Sequence, residues 1–338
     1  GNGALNVAAG GVVTNDIVFI GTYPGGTGTA TVAGANSKWT SSNLLNVGWS
    51  GSGSLHIEDG GFVSTGDSYL ATHSDGTAEA TVTGTGSNWN HTGDLNLGVR
   101  GPATLNVTDG GLVSNADGYI GYHAGGIGVA TVTGIGSSWN HTNNFYAGYN
   151  GTGTLNITAG GVVSNVDGYI GYHTDGTGTV TVGGIGSTWN NSNNLYVGRD
   201  GTGTLNVADG GLVTVGSTTS IGTSATVNLT GGRFEFGETT LEEFSTITGS
   251  SGSMAGNLRH AGYTEASTLT ALQNSAVDLT EVTLTNSGVL YGTAAMGTSL
   301  INTLSGEVEV MPAERLRFAG SANTNTGEIN NFGGQIRF

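Results

Sequence analysis

The quadruplet GTGT opens at residues 151, 176 and 201, so the chain returns to the same words every 25 residues. A repeat of that length constrains a fold more than any single motif, because it signals a solenoid, a propeller or an array. A second period, of 50, lies over the first. Trp39, Trp89, Trp139 and Trp189 fall 50 apart, as do Tyr69, Tyr119 and Tyr169, with Phe19 in the same column. Paired glycines recur at Gly10–Gly11, Gly60–Gly61, Gly110–Gly111, Gly160–Gly161 and Gly210–Gly211. Each 50-residue unit is therefore two related halves, one carrying the glycine pair and the other carrying tryptophan.

The columns of the 25-residue alignment identify the element. Position five holds Leu5, Ala30, Leu55, Ala80, Leu105, Ala130, Leu155, Val180 and Leu205, and position seven holds only valine or isoleucine, from Val7 to Val207. Between them stands a polar column, from Asn6 and Thr31 to Thr181 and Asn206. Alternation of period two marks a β-strand with one buried face. The chain is thus expected to be an all-β, parallel β-helix or β-solenoid of about 25 residues per coil. Three short strands per coil are expected, for example Thr154–Ile157, Gly161–Ser164 and Tyr169–Tyr172. Right-handed winding is the default for parallel crossovers. Coiled throughout, the chain would make about 13 rungs at ~4.8 Å, a rod of roughly 65 Å.

Two packing expectations follow. The tryptophan halves carry Ala30, Ala80, Ala130 and Val180 where their neighbours carry leucine, which suggests that indole volume replaces leucine volume in alternate rungs. Asn90, Asn115, Asn140, Asn165 and Asn190 fall in one 25-residue column and are expected to stack as an amide ladder. Two regions are expected: a regular solenoid over 1–214 and a less regular continuation over 215–338. In the latter, Glu242–Glu243, Met254–Leu258 and Ala271–Gln273 are read as loops or short helical turns.

Composition excludes several classes. Glycine is 64 of 338 residues, about 19% against the usual ~7%, which suits a chain built of turns. The formal charge is −16, from 24 acidic and 8 basic residues, and Lys38 is the only lysine. Nucleic-acid binding needs basic stripes, and an anionic bilayer surface needs basic clusters; neither is present. No apolar run approaches the ~18 residues of a membrane span. Cysteine is absent. The chain starts inside its own pattern at GNGALNV and stops on a strand-like segment, so a piece of a longer protein, an ordered core, or a protein whose ends meet other subunits is expected.

The repeating signatures "G-x-G-x-L-x-V-x-x-G-G" and "G-x-G-S-x-W", over about residues 1–214, resemble the repeat shared by bacterial autotransporter passengers and PEP-CTERM surface proteins. The later "NTGEINNFGGQIRF" resembles the Asn/Gly-rich solenoid that follows such repeats. The resemblance implies export and an extracellular or cell-surface role. It implies no functional residues.

Candidate chemistry is sparse. His73, His123 and His173, like His91 and His141, recur 50 apart; two rungs of separation, ~10 Å, is too far for one ion, and they are read as polar residues at corners. Asp175 and Asp200 end successive halves, and Asp-Gly recurs at Asp59, Asp75, Asp109, Asp117, Asp167 and Asp209. Such carboxylates can bind Ca²⁺, but Asp-Gly is also ordinary turn chemistry. Glu235, Glu238, Glu242 and Glu243 near Arg233 are the densest charge cluster, in which a glycosidase pair would have to be sought. The outward column Ala4, Thr29, Ser54, Glu79, Thr104, Val129, Thr154, Thr179, Thr204 is a hydroxyl array broken by Glu79 and Val129. Sequons occur at Asn90, Asn106, Asn140, Asn156, Asn190 and Asn228. Exposed Tyr and Asn are placed to stack on sugars.

Nothing converges on a site, so no catalytic, cofactor-binding or metal-binding residue is assigned. The expected function is a noncatalytic extracellular structural or adhesive solenoid. Its expected partners are copies of itself, end-to-end or lateral, and surface glycans. The alternative is a carbohydrate-binding or polysaccharide-cleaving β-helix.

Overall fold

The computed structural model describes the backbone of residues 1–241 and 246–260 and separate strands between 276 and 337; side chains are described over 1–236 and at a few positions in 323–337. It is an all-β parallel β-solenoid with about nine regular coils of about 25 residues. Every strand pairing among the described residues is parallel. Beyond the regular coils the parallel pairing continues through Ala225–Leu241 and Thr246–His260. Met254–Leu258, expected in a loop or helical turn, lies inside the strand Thr246–His260. Glu242–Glu243 and Ala271–Gln273 lie outside the described residues.

A regular coil has three faces. In the coil from Gly151 they are the strands Thr152–Thr158, Val162–Asn165 and Gly168–Ile170. In the next coil they are Thr177–Gly183, Thr188–Asn191 and Leu195–Val197. On the first face the register follows the period: Leu105 lies beside Ala130, and Ala130 beside Leu155. Here the alternating apolar column points inward, and Leu105, Ala130, Leu155, Val107, Val132 and Ile157 are wholly buried.

The other two faces do not keep the period of 25. Each tryptophan coil has one more residue in its first corner (184–187 against 159–161) and one more in its second (192–194 against 166–167). Its closing corner is correspondingly short. On the second face Val113 therefore lies beside Trp139, 26 residues on, and Trp139 beside Val163, 24 on. On the third, Tyr119 lies beside Tyr146 and Tyr146 beside Tyr169, steps of 27 and 23.

This offset dissolves the expected asparagine ladder. Asn115 and Asn165 point inward and pair in register with His141 and Asn191. Asn90, Asn140 and Asn190 belong to an outward column that alternates with Ser114, Ser164 and Thr214, whose hydroxyls donate to them at 2.7, 2.8 and 2.9 Å.

The longer corner also explains the "G-x-G-S-x-W" signature. Ser37, Ser87, Ser137 and Ser187 are buried, and each hydroxyl accepts the backbone N–H of the first glycine of the pair in the preceding coil: Gly10, Gly60, Gly110 and Gly160, at 3.0–3.1 Å. Ser187 also donates to the Gly183 carbonyl at 2.8 Å. Asp59, Asp109 and Asp209 occupy left-handed backbone at φ of 53°, 53° and 50°, each followed by a left-handed glycine. Aspartate tolerates that region better than most residues, so these Asp-Gly pairs form turns.

Candidate functional site

Among the described residues, the third face carries an extended array of aromatic side chains that packing of the core does not require. In Gly118–Ile120 the flanking Gly118 and Ile120 are buried and Tyr119 points out. Gly121, at φ 71°, turns the chain so that Tyr122 follows on the same side. Its left-handed backbone, with the Thr152 carbonyl of a neighbouring coil where a Cβ would lie, admits no side chain. Each "Y-x-G-Y" thus delivers two rings per coil. Stacking coils makes two columns, one of Tyr119, Tyr146, Tyr169 and Tyr196 and one of Tyr122, Tyr149 and Tyr172.

Rings in the first column lie parallel, with centroids 4.8, 4.7 and 4.8 Å apart and interplanar angles of 2°, 7° and 4°. In the second they are 5.2 and 5.0 Å apart. Across the columns the rings meet edge-on at 73–90° and 5.0–5.3 Å. The result is a herringbone, the favoured arrangement for ring quadrupoles. Arg199 takes the place of a fourth ring in the second column, its guanidinium 4.6 Å from the Tyr172 centroid. At the other end the columns stop at Asn96 and Val99, both buried. Tyr146 is nearly covered at 9% exposure, while the other six tyrosines are half-buried.

Burial raises the phenols: Tyr169 is pushed up to about 12, with Asp167 adding to the effect, and Tyr119 and Tyr146 are pushed higher. They stay protonated and available as donors at any physiological pH. A polar rail runs along one edge. Asp94, Asn144 and Asn194 lend their backbone N–H to a carboxylate of the preceding coil, Asp67, Asp117 and Asp167, at 2.8–2.9 Å. The Asp117 N–H likewise donates to Asp94 at 2.9 Å. Arg100, His123, His173 and Asp200 line the opposite edge, where burial and then Arg100 lower the His123 pKa.

Only part of this array was legible by alignment. Tyr69, Tyr119 and Tyr169 share a 25-residue column, but Tyr146 and Tyr196 do not, because the third-face steps are 27 and 23. The signal was present as Y-x-G-Y at 119–122, 146–149 and 169–172, followed by Y-x-G-R at 196–199. A smaller aromatic group, Phe19, Trp49 and His73, occupies the same face over three coils, the last of them two coils before Tyr119.

The remaining candidates separate. His91 and His141, expected at corners, lie inside the core at 6% exposure, tilted against Trp89 and Trp139 at 4.6 and 4.7 Å. Each Nδ1 bonds the carbonyl of Ser114 or Ser164 in the next coil, at 2.9 and 3.0 Å, so Nδ1 carries the proton. Each Nε2 has no partner. No cluster of three metal-ligating side chains occurs among the described residues. Asp200 lies 3.8 Å from Arg199, and Asp175 is exposed. Glu235 pairs with Arg233. The side chain of Glu238, and Glu242 and Glu243 altogether, lie outside the described residues. The threonine column stands in register on the first face and faces solvent, and the sequon residues Asn106, Asn156 and Asn228 are half-buried on that face.

One defect in the core is correctable. Trp39, Trp139 and Trp189 each donate the indole N–H to an asparagine of the preceding coil, Asn15, Asn115 and Asn165, at 2.6–2.7 Å. In the coil before Trp89 the place of that asparagine is taken by Thr65, and the Trp89 Nε1 has no partner. Thr65→Asn with Ser68→Gly and His91→Asn reproduces the arrangement of Asn165, Gly168 and Asn191, in which Asn165 accepts from the Trp189 indole and donates to Asn191. The triple variant is expected to raise stability by about 1 kcal/mol, the cost of an orphaned buried donor less that of the added glycine. Chemical denaturation reads this directly; an unchanged or lowered midpoint would count against the accounting.

Compared with known proteins, the chain matches no family model and no curated protein. Among solved structures it is similar to "Crystal structure of TibC-catalyzed hyper-glycosylated TibA55-350 fragment", at 18% identity and a TM-score of 0.48, over 99% of this chain and 94% of that one.

Proposed function

We propose that this chain is a noncatalytic structural and adhesive β-solenoid of the cell surface or extracellular space, whose adhesive surface is the tyrosine face and whose partners are glycans. The observation that carries the reading is the herringbone itself. Six tyrosines aligned along one face around the covered Tyr146, none required to fill the core, are costly to keep half-exposed unless the face meets something. Amphipathic rings with protonated hydroxyls, beside a rail of Asp and Asn, supply the apolar contacts and hydrogen bonds that sugars need. Self-assembly belongs to the same proposal: wherever a parallel stack has an open edge, its free N–H and C=O groups pair with a strand of another copy.

The test is an immobilised-glycan array read with the wild type and with Tyr119→Asn/Tyr169→Asn. Asparagine already stands in that outward column at Asn46 and Asn96, so the variant should fold. At least one glycan class should bind, and the variant should lose about tenfold or more, as for two lost aromatic contacts. Absence of any binding, equal binding by the variant, or release of reducing ends from a bound polysaccharide would each overturn the reading. Electron microscopy of the same sample checks assembly: continuous filaments are expected, and isolated short rods would remove self-assembly from the proposal.

A further inference from the structure

We infer that the tyrosine face takes a neutral, straight polysaccharide of the β-1,4-linked pyranose kind, lying along the solenoid axis with one sugar per coil over four coils. The inference rests on the adhesive reading above and specifies its ligand.

Spacing comes first. Rings repeat at 4.7–4.8 Å along the first column and at 5.0–5.2 Å along the second. That is the rise of one coil, ~4.8 Å, and it is the scale of one pyranose in an extended, equatorially linked chain. Such a chain would meet rings at every coil, one from each column over three coils and Tyr196 beside Arg199 at the fourth, with the Asp/Asn rail at its side. Its successive units, each turned over relative to the last, would lay alternate faces on the rings. An extended peptide fits poorly, because it advances ~3.3 Å per residue against ~4.8 Å per coil. Its groups would drift out of phase with the coils within two steps. An α-1,4-linked glucan curls away from a straight face.

Charge decides the class. Asp94, Asp117 and Asp167 line one edge, and Asp200 stands at the other. Of the cations there, Arg199 is already committed to Tyr172 and lies near Asp200, which leaves Arg100. Over a chain of net charge −16, this edge pattern repels uronate or sulfated polymers.

The length of the site is set by its ends. Arg199 closes the second column, and Asn96 and Val99, buried and without rings, close both columns at the other end. Between them lie four ring-bearing coils, roughly 14 Å from Tyr119 to Tyr196 as three steps of ~4.8 Å.

Calorimetric titration with cello- and chito-oligosaccharides from disaccharide to hexasaccharide tests this. Affinity should rise about threefold to tenfold per unit, the worth of one aromatic contact, up to the tetrasaccharide and then level off. Malto-oligosaccharides and oligogalacturonates should show no such climb. Tyr149→Thr, which removes the half-exposed ring of one middle coil and installs the residue found in this column at Thr72, should flatten the climb while leaving the melting temperature near wild type. Affinity independent of length, a climb that continues past four units, or a climb indifferent to this variant would overturn the inference. So would failure of both neutral series to bind. If the array still shows tyrosine-dependent binding to another glycan, only the ligand assignment falls; if the array is blank, the adhesive reading falls with it.

Discussion

Trp139→Val is expected to destabilise the solenoid by about 3 kcal/mol, and adding Ala130→Leu should restore a large part of that loss. The indole of Trp139 is wholly buried. Large-to-small changes in a core cost the lost transfer energy plus a term for the cavity left behind, about 3–5 kcal/mol for tryptophan to alanine. Valine keeps part of the volume, which lowers the figure, but it abandons the Asn115 carbonyl oxygen that the indole N–H occupies at 2.6 Å. The rescue follows from register. Along the first face the inward column runs Leu105, Ala130, Leu155, and along the second it runs Val113, Trp139, Val163. Each coil therefore carries either leucine with valine or a small residue with tryptophan. The double variant converts a coil of the second kind into the first. Ala130→Leu alone should overpack the coil and cost about 1–3 kcal/mol. Denaturation of the four proteins of this cycle gives the coupling directly. Strict additivity would show that the two columns do not share volume.

The second large effect is acid sensitivity. Burial lowers the pKa of His91 and of His141 to about 4, from 6.5 in an unfolded chain. The folded state thus prefers the neutral ring. Below pH 6.5 the unfolded chain takes up protons that the folded chain refuses, so stability falls as pH drops from 6.5 toward 4 and is wholly lost from these groups below that. A shift of this size corresponds to about 3 kcal/mol for each ring. Carboxylates also titrate in this range, so the decisive comparison is with His141→Asn. Asn191 holds the equivalent place two coils on: its Nδ2 donates to the Thr214 carbonyl at 3.4 Å, as histidine Nδ1 does to Ser164, and its Oδ1 accepts from Asn165 at 2.8 Å. In the coil of His141 the matching Asn115 Nδ2 and His141 Nε2 both lack partners. The variant should match or exceed wild type at pH 7.5 and should lose about 3 kcal/mol less on going to pH 4. Parallel acid slopes for the two proteins would show that His141 is not the group that titrates.

These cases mark where reading by period succeeds. The inward Leu/Ala and Val/Ile columns of the first face were visible because that face repeats every 25 residues, and the tryptophan–leucine alternation was visible for the same reason. His91 and His141 were misplaced because a polar residue in an alternating strand reads as outward. Inside, the carbonyl of the next coil satisfies one ring nitrogen, a contact no linear pattern contains. Asn115 and Asn140 were grouped in one column because a fixed period was applied where corners differ in length.

By itself the sequence determined the class of fold, the coil length and the first face, since a period of 25 with two-residue alternation has one economical solution: parallel strands stacked on themselves. The tertiary structure alone decided the columns of the second and third faces. The extra residue in each of two corners of a tryptophan coil, recovered in the third, shifts side chains by one position and then by two relative to the period. That shift carries Asn115 inward against Trp139, and it brings Tyr146 into line between Tyr119 and Tyr169. Corner length is a local property, but which rings it aligns depends on the coil above.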